Sequence, residues 1–571
     1  MIRVAAHHIL SPLGTTTAAN LDAVRRGESA VRQWTGRWQL PRPFMASLFG
    51  EEAAAWLRPG CSRFESMAVS SVSSALAQWR QNGGGALADA ANPRTVLVLS
   101  TTKGNIAMMG HRGVSPDRLW LGRSAAVIAR EVGFTTLPVV IDNACISGVS
   151  AIILAARLLN MGLYDNAVVC GAEEQSAFIV SGFQSLKAMS PQLCRPFDID
   201  RMGLNLGEAA ATVVLTRQDC GQLPWHVAGG TMRNDAHHIS APSMSADGAS
   251  RALAAVTADI GAEQLAFISA HGTATMFNDQ MEAVAIDRTG LGMVPVNAVK
   301  GNYGHTMGAC GVLETVLSMA AVDEGIVLST KGFSELGVSK HIKVTTAETT
   351  TTARSFVKMV SGFGGGNASL LMSKDSSVGR NDARTAHSLK ASHTVRITTD
   401  SVSIDGNRLE MASAGKAMLT ELYKKAVGDY PRFFRMDLLS RVGFIAAELL
   451  TRAEGNSRPA DSESRAVVLV GLSGSEQADL NYYKSICRPD DFFPSPERFV
   501  YTLPNIVAGE IAIRHHYHGE TSFLLLPEHN EEAVNNIMRS AFLDPKVTSV
   551  MGGWIDCEDE SHFEAELSIF E

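Results

Sequence analysis

The run Pro138-Val139-Val140-Ile141-Asp142-Asn143-Ala144-Cys145-Ile146-Ser147-Gly148-Val149-Ser150-Ala151 decides the fold. Its apolar start reads as a short strand covered on both faces. Asp142-Asn143 breaks the strand, and small residues then carry a helix. Cys145 is thereby placed at a strand-to-helix turn. Free backbone N–H groups and the helix dipole favour a thiolate there, which predicts a lowered thiol pKa. Read alone, Cys145 is equally a buried structural thiol.

The same alternation extends both ways. Apolar runs at 95–99, 166–170, 211–215 and 266–268 read as further buried strands. Small-residue helical stretches lie between them at 67–79, 150–161 and 308–322. This pattern predicts layered α/β architecture. The chain has 571 residues, of which 45% are hydrophobic and 19% charged, so it has a large core and is not a disordered polymer. Fifty basic residues against 58 acidic, with no basic block, argue against a nucleic-acid surface. The most apolar stretch, 146–163, contains Arg157 and reads as a buried helix, so no membrane span is expected. The start Met1-Ile2-Arg3-Val4-Ala5 lacks signal-peptide regions, which gives a cytoplasmic expectation. Cysteines at 61, 145, 170, 194, 220, 310, 487 and 557 have neither metal nor redox spacing and read as free thiols.

Residues 376–393 lose periodicity and read as a linker. Beyond it the pattern of the first 175 or so residues returns as a weak repeat. Val96-Leu97-Val98-Leu99 is set on Val467-Val468-Leu469-Val470, and Val139-Val140-Ile141 on Ser522-Phe523-Leu524-Leu525. Val168-Val169-Cys170-Gly171 is set on Ser549-Val550-Met551-Gly552. The expected domains are 1–375, in halves of about 1–215 and 216–375, and a half-copy at 394–571.

Three further segments carry chemistry. Ser269-Ala270-His271-Gly272-Thr273-Ala274-Thr275 puts a histidine directly after a buried strand, an acid–base or oxyanion position. Lys300-Gly301-Asn302-Tyr303-Gly304-His305 pairs a lysine with a histidine just ahead of a helix that carries Glu314. Ser361-Gly362-Phe363-Gly364-Gly365-Gly366-Asn367 offers close-approaching backbone N–H groups, and no Lys-Ser/Thr follows to make a Walker loop.

With these motifs in this order, residues 1–375 resemble a β-ketoacyl-acyl-carrier-protein synthase. Gly182-Phe183-Gln184-Ser185-Leu186, Cys194-Arg195-Pro196-Phe197-Asp198 and Arg201-Met202-Gly203-Leu204-Asn205-Leu206-Gly207-Glu208 extend the resemblance. It implies a thiolase-like fold of two α/β halves in a five-layered core, usually dimeric. By the resemblance, Cys145 is the acyl-accepting nucleophile and His271 and His305 are the histidine pair. Lys300 and Glu314 support them, and Phe363 gates the pocket. The N–H groups of Cys145 and Phe363 form an oxyanion hole, with Gly364 and Gly365 in the same substrate-binding turn. Thr273 and Thr275 contact phosphopantetheine. The implied reaction is decarboxylative condensation of malonyl-carrier with a Cys-bound acyl chain, with acyl carrier protein as partner and neither organic cofactor nor metal. Cys–His–His is the elongating pattern. Ala274, Met276 and Ala209 stand where Gly, Pro and Gly are commoner, which leaves the substrate open. Cys310 reads as core.

The half-copy has Leu526-Pro527-Glu528-His529 opposite the Cys145 turn and no nucleophile. Around 501–512 it resembles the truncated, chain-length-factor-like partners of aryl-polyene-type synthases. One arrangement makes it the pseudo-dimer partner, its segment 477–483 flooring the acyl pocket with Leu480, Tyr482 and Tyr483. In another it is a bystander tail on a housekeeping fatty-acid enzyme. A non-catalytic carrier-protein scaffold is the alternative from a different class. His515-His516-Tyr517-His518 is read as a solvated strand end, not a metal site, because no further ligand is near in sequence.

Overall fold

The computed structural model describes residues 1–218, 223–379, 388–455, 462–488 and 492–571. Cys220 and the linker segment 380–387 lie outside the described residues. The first half of residues 1–375 is built from β1 (Arg3–Leu10), α1 (Arg63–Trp79), β2 (Thr95–Ser100), α2 (Leu121–Val132), β3 (Val139–Ile141), α3 (Ser147–Asn160), β4 (Asn166–Glu173) and β5 (Ala209–Thr216). Its strands lie in the order β1-β5-β4-β2-β3, with β2 parallel to both β3 and β4. The second half has β6 (His226–Asn234), β7 (Leu265–Ser269), β8 (Pro295–Asn297), α4 (Cys310–Asp323), β9 (Ser355–Ser361) and β10 (Gly366–Ser373), in the order β6-β10-β9-β7-β8.

Helices α3 and α4 pack between the two sheets. Ile152 and Leu158 of α3 and Val316 of α4 share one core cluster with Val96 and Val169 of one sheet and Phe356 and Leu370 of the other. Both helices are buried nearly all round, which explains their small and apolar composition. Outer helices complete five layers, α1 and α2 over the first sheet and Asp247–Thr257 and Met276–Arg288 over the second. This is the thiolase-like fold.

The half-copy contributes β11 (Ala391–Thr398), α5 (Leu438–Ala453), β12 (Arg465–Gly471), α6 (Glu476–Tyr483), α7 (Ile506–His515), β13 (Thr521–Leu525), α8 (Glu531–Ala541), β14 (Ser549–Asp559) and β15 (His562–Phe570). Its sheet runs β13-β12-β14-β15-β11. Strand β13 pairs antiparallel with β3, with Ile141 opposite Leu524 and Val140 opposite Leu525. Asp142 N–H donates to the Phe523 carbonyl at 3.1 Å, so the pairing is symmetric about the Ile141–Leu524 pair. The half-copy therefore sits as a pseudo-two-fold mate on residues 1–375, with one sheet continuous through both. In this structure it is not a free tail.

The ladder corrects the repeat register. Leu97 and Leu99 face the same outer cluster as Val467 and Leu469, while Val96 and Val98 share the inner cluster with Ala466 and Val468. Val96 thus corresponds to Ala466, one place earlier than the sequence match. A one-residue slip exchanges the faces of a strand, and two faces that are both apolar hide it. Thr95 opposite Asn166 and Arg465 opposite Ser549 fix the same register at β4 and β14, so Val168 corresponds to Met551.

Helix α8 stands where α3 stands in the first copy, yet only one face of it is buried, through Val534, Ile537, Met538, Ser540 and Ala541. Its outer face carries Glu531, Glu532 and Asn535. An amphipathic helix of this kind needs no second layer over it. No helix among the described residues is long and apolar enough to cross a membrane.

Candidate active site

Cys145 lies in a single 3-10 turn, Ala144–Ile146, between β3 and α3. Ala144 is held at φ +51°, a left-handed conformation that costs an L-residue energy and pushes the next side chain out of the strand-to-helix corner. Asp142 Oδ1 accepts the Ala144 N–H at 3.2 Å, and Ser147 Oγ accepts that of Asn143 at 2.8 Å. Half-buried, Cys145 is closed in by Gly362, where an added Cβ would lie 3.1 Å from the Cys145 nitrogen.

His305 Nε2 lies 3.1 Å from Cys145 Sγ. The N–H of Met307 donates to His305 Nδ1 at 3.3 Å. That bond fixes the tautomer, because an accepting Nδ1 leaves the proton on Nε2. The neutral ring therefore presents N–H to sulfur, as a donor and not as a base. His271 crosses it edge-on, ring centroids 5.0 Å apart at 84°. Ligand-type atoms of Cys145, His271 and His305 all lie within 4.8 Å of one another. His271 Nδ1 is buried with no hydrogen-bond partner among the described residues. Such a nitrogen is kept where a further group completes it. Glu282 holds the His271 turn, its two oxygens accepting the N–H groups of His271 and Gly272 at 2.6 and 2.7 Å.

Beneath the rings lies a buried ion cluster. Lys300 Nζ donates to Glu314 Oε1 at 2.8 Å, and Lys358 Nζ donates to Glu314 Oε2. Lys358 also donates to the Ala270 carbonyl at 2.9 Å, which ties the cluster to the strand end before His271. The cluster carries one net positive charge. Burial first, then Lys300 and Lys358, push both imidazoles well below the ordinary histidine range, so both are neutral. Replacing Lys300 with Met leaves Glu314 paired with Lys358 and removes one repulsive cation. The imidazole pKa values then rise. We expect the acid limb of the pH profile of any reaction that needs both rings neutral to move up by about one pH unit; an unmoved limb speaks against this control.

The thiol departs from the sequence expectation. Burial pushes Cys145 upward, and the opposing pull of Lys300 is smaller. Enclosure outweighs the helix terminus, so the resting sulfur is a thiol.

The remaining candidates fall into two places. Thr273 Oγ1 and Thr275 Oγ1 lie 2.9 Å apart beside the His271 turn. Phe363 heads the turn between β9 and β10, where Gly364 (φ +89°) and Gly365 (φ +76°) need the left-handed conformation. Its ring stacks on Phe183 at 6.3 Å. Behind Phe183 an apolar cluster joins Ile106, Met109, Phe178 and Met307 to Tyr482 and Phe499 of the half-copy. Tyr482 is fully buried, edge-on to Phe178 at 4.8 Å, and its hydroxyl meets Ser181 Oγ at 2.9 Å. Tyr483 is half-buried over Gly110, while Leu480 points to solvent and does not line the cluster. Phe499 packs directly on Gly182, where any Cβ would collide with its ring. Lys103, buried, pairs with Asp479 of the half-copy at 2.9 Å.

Lys358, Glu282 and Phe499 escaped the sequence reading. A lone lysine inside Ser355-Phe356-Val357-Lys358-Met359-Val360-Ser361 was a signal, since a buried strand keeps a charge only with a partner. So was the acid pair Asp279 and Glu282, one turn apart on a helix just after the His271 turn. The His515–His518 segment is not a strand end. His515 closes α7, His516 caps it at φ +57°, and His518 Nδ1 bonds the Asn234 carbonyl at 3.0 Å. Cys310 is buried at the start of α4.

Residues 115–220 match the beta-ketoacyl synthase N-terminal domain family, and residues 226–334 match the beta-ketoacyl synthase C-terminal domain family. The mitochondrial 3-oxoacyl-[acyl-carrier-protein] synthase of Arabidopsis thaliana is 32% identical over 260 residues, 40% of this chain and 54% of that protein. The chain thus spans about half the length of this curated relative. Among solved structures, the PfaC keto synthase-chain length factor is similar in fold over 97% of this chain and 74% of its own, with TM-score 0.76 and 16% identity. The ketosynthase ApeO in complex with its chain length factor ApeC, from Xenorhabdus doucetiae, gives TM-score 0.56 at 26% identity, covering 65% of this chain and 97% of that one.

Proposed function

We propose that this chain, whose residues 115–220 and 226–334 match the two β-ketoacyl synthase domain families, is an elongating synthase whose half-copy supplies part of the acyl pocket. The observation that carries the reading is the meeting of Cys145 Sγ, a donor-oriented His305 and a neutral His271 above a buried cationic cluster. Cys145 sulfur attacks the carbonyl of an acyl thioester. The C–S bond to the carrier's phosphopantetheine breaks, and the thiol proton leaves on the pantetheine sulfur. The N–H groups of Cys145 and Phe363 hold the passing oxyanion. Malonyl-carrier then enters past Thr273 and Thr275. Its C–C bond to the carboxylate breaks, carbon dioxide leaves, and the enolate oxygen takes N–H bonds from the imidazoles. Neutral rings suit this role because they donate without transferring the proton. The enolate carbon attacks the acyl-Cys carbonyl, and Cys145 departs as a thiolate that takes up a proton from solvent, leaving a chain two carbons longer. The reaction calls on no organic cofactor and no metal; its partners are acyl carrier protein and the two carrier-bound substrates, in the cytoplasm.

Tyr482 and Phe499 close the apolar cluster behind Phe183, and the resemblance to aryl-polyene-type partners fits a half-copy that limits chain length. A panel of aliphatic and aromatic acyl carriers of graded length tests both claims. Tyr482→Ala is expected to admit acyl chains longer by one or more two-carbon units at unchanged malonyl decarboxylation. An unchanged length profile removes the half-copy from length control.

A further inference from the structure

The half-copy reaches further than the acyl pocket. Asn505 stands at the N-cap of α7, where an asparagine ordinarily accepts an N–H of its own helix. It makes no such bond. Its Nδ2 instead donates across the pseudo-dimer to the carbonyl of Phe363, at 2.8 Å. Next to it, Gly509 lies on the same turn: a Cβ there would come 2.7 Å from the Gly364 oxygen and 2.9 Å from its Cα. Gly364 in turn has no room for a side chain, since a Cβ would lie 2.7 Å from Asn505 Nδ2. The other side of the turn is held through Asn234, whose Nδ2 donates to the Gly364 carbonyl at 2.8 Å and to Thr521 Oγ1 of the half-copy at 2.9 Å. The nucleophile turn is gripped as well, because Phe523 N–H donates to Asn143 Oδ1 at 2.8 Å, two residues before Cys145.

We infer that Asn505 is a positioning residue for the oxyanion pocket: the half-copy, itself without a nucleophile, aims the Phe363 N–H by holding the carbonyl of the same residue. The inference rests on the synthase reading above. It separates two steps of that reading. Acyl transfer to Cys145 uses the Phe363 amide, whereas malonyl decarboxylation uses the imidazoles. A donor displaced by a fraction of an ångström loses much of its effect on a developing oxyanion.

The test uses the purified full chain with octanoyl-pantetheine, to read Cys145 acylation in a single turnover, and malonyl-pantetheine, to read decarboxylation. Asn505→Ala is expected to slow acylation about tenfold to hundredfold and to change decarboxylation less than about threefold. Asn505→Ser, which keeps a hydroxyl donor, is expected to recover part of the loss. Gly509→Ala presses a Cβ onto the Gly364 backbone, so it is expected to give the same split, with a lowered thermal midpoint because the clash outweighs the gain in helix propensity. Acylation equal to wild type in Asn505→Ala and Gly509→Ala overturns the inference, as does an equal fall of both steps. A wild-type chain inert to both thioesters overturns the synthase reading itself.

Discussion

Cys145→Ala is expected to abolish condensation, lowering it by at least about a thousandfold, while malonyl-thioester decarboxylation persists within about tenfold of wild type. The split follows from the geometry. On the proposed reading it is Cys145 that holds the acyl chain. Cys310 is buried and spends its Sγ–H on the Cys145 carbonyl at 3.5 Å, so it offers no substitute. The enolate site of the proposed reaction, by contrast, is made of His271 and His305, and each has a hold besides the sulfur. His305 is fixed through Nδ1 by Met307, and the His271 turn is fixed by Glu282. Alanine also removes the group that the His305 N–H faces at rest, leaving that donor free for a substrate oxygen. Mass spectrometry after incubation with octanoyl-pantetheine gives the companion result, an acyl adduct on Cys145 in wild type and none in the variant. A variant that still condenses, or a wild type labelled elsewhere, refutes the assignment and favours a scaffold.

Cys145, both histidines and Lys300 could be singled out in the sequence because each sits in a short motif at the end of a buried run. The roles expected of them came from the family resemblance, not from local pattern, and the structure brings all four together. The thiol's upward shift was not legible. It depends on walls drawn from 362 and 310, far from 145 in sequence, and these outweigh the local helix terminus. The repeat was visible as apolar runs, yet its register slipped by one at β2 and β12, because a strand apolar on both faces carries no alternation to fix it. Tyr482 was found and Leu480 misplaced for a related reason. They lie two apart on what is a helix, so they point to different sides. The grip of Asn505 on Phe363 joins residues 142 apart. Nothing in Pro504-Asn505-Ile506 distinguishes it from an ordinary helix cap.

Glu314→Ala is expected to be the most destabilising single change at the site. Lys300, Lys358 and Glu314 are each almost wholly removed from solvent, with side chains at most 3% exposed. Taking one partner from a buried pair costs about 3–5 kcal/mol, chiefly through the charge left behind. Here a single carboxylate serves two ammonium groups, so its loss strands both. The carboxylate is held below its ordinary range by the two lysines once the cost of burial is met, and it therefore stays charged at neutral pH. A loss of at least about 4 kcal/mol is expected, read as a fall in the denaturation midpoint. Glu314→Gln keeps the shape and one acceptor but not the charge, and should lie between. The decisive comparison replaces all three, Lys300→Met, Lys358→Met and Glu314→Leu. A buried ion triad exchanged for apolar side chains of similar volume is often neutral or stabilising, so the midpoint should return. Decarboxylation should not return with it, because the net positive charge beneath the imidazoles, which favours the developing enolate, is gone. Glu314→Ala within about 1 kcal/mol of wild type counts against the cluster as a charge-compensated unit. A triple variant regaining both stability and rate shows that the lysines serve folding alone.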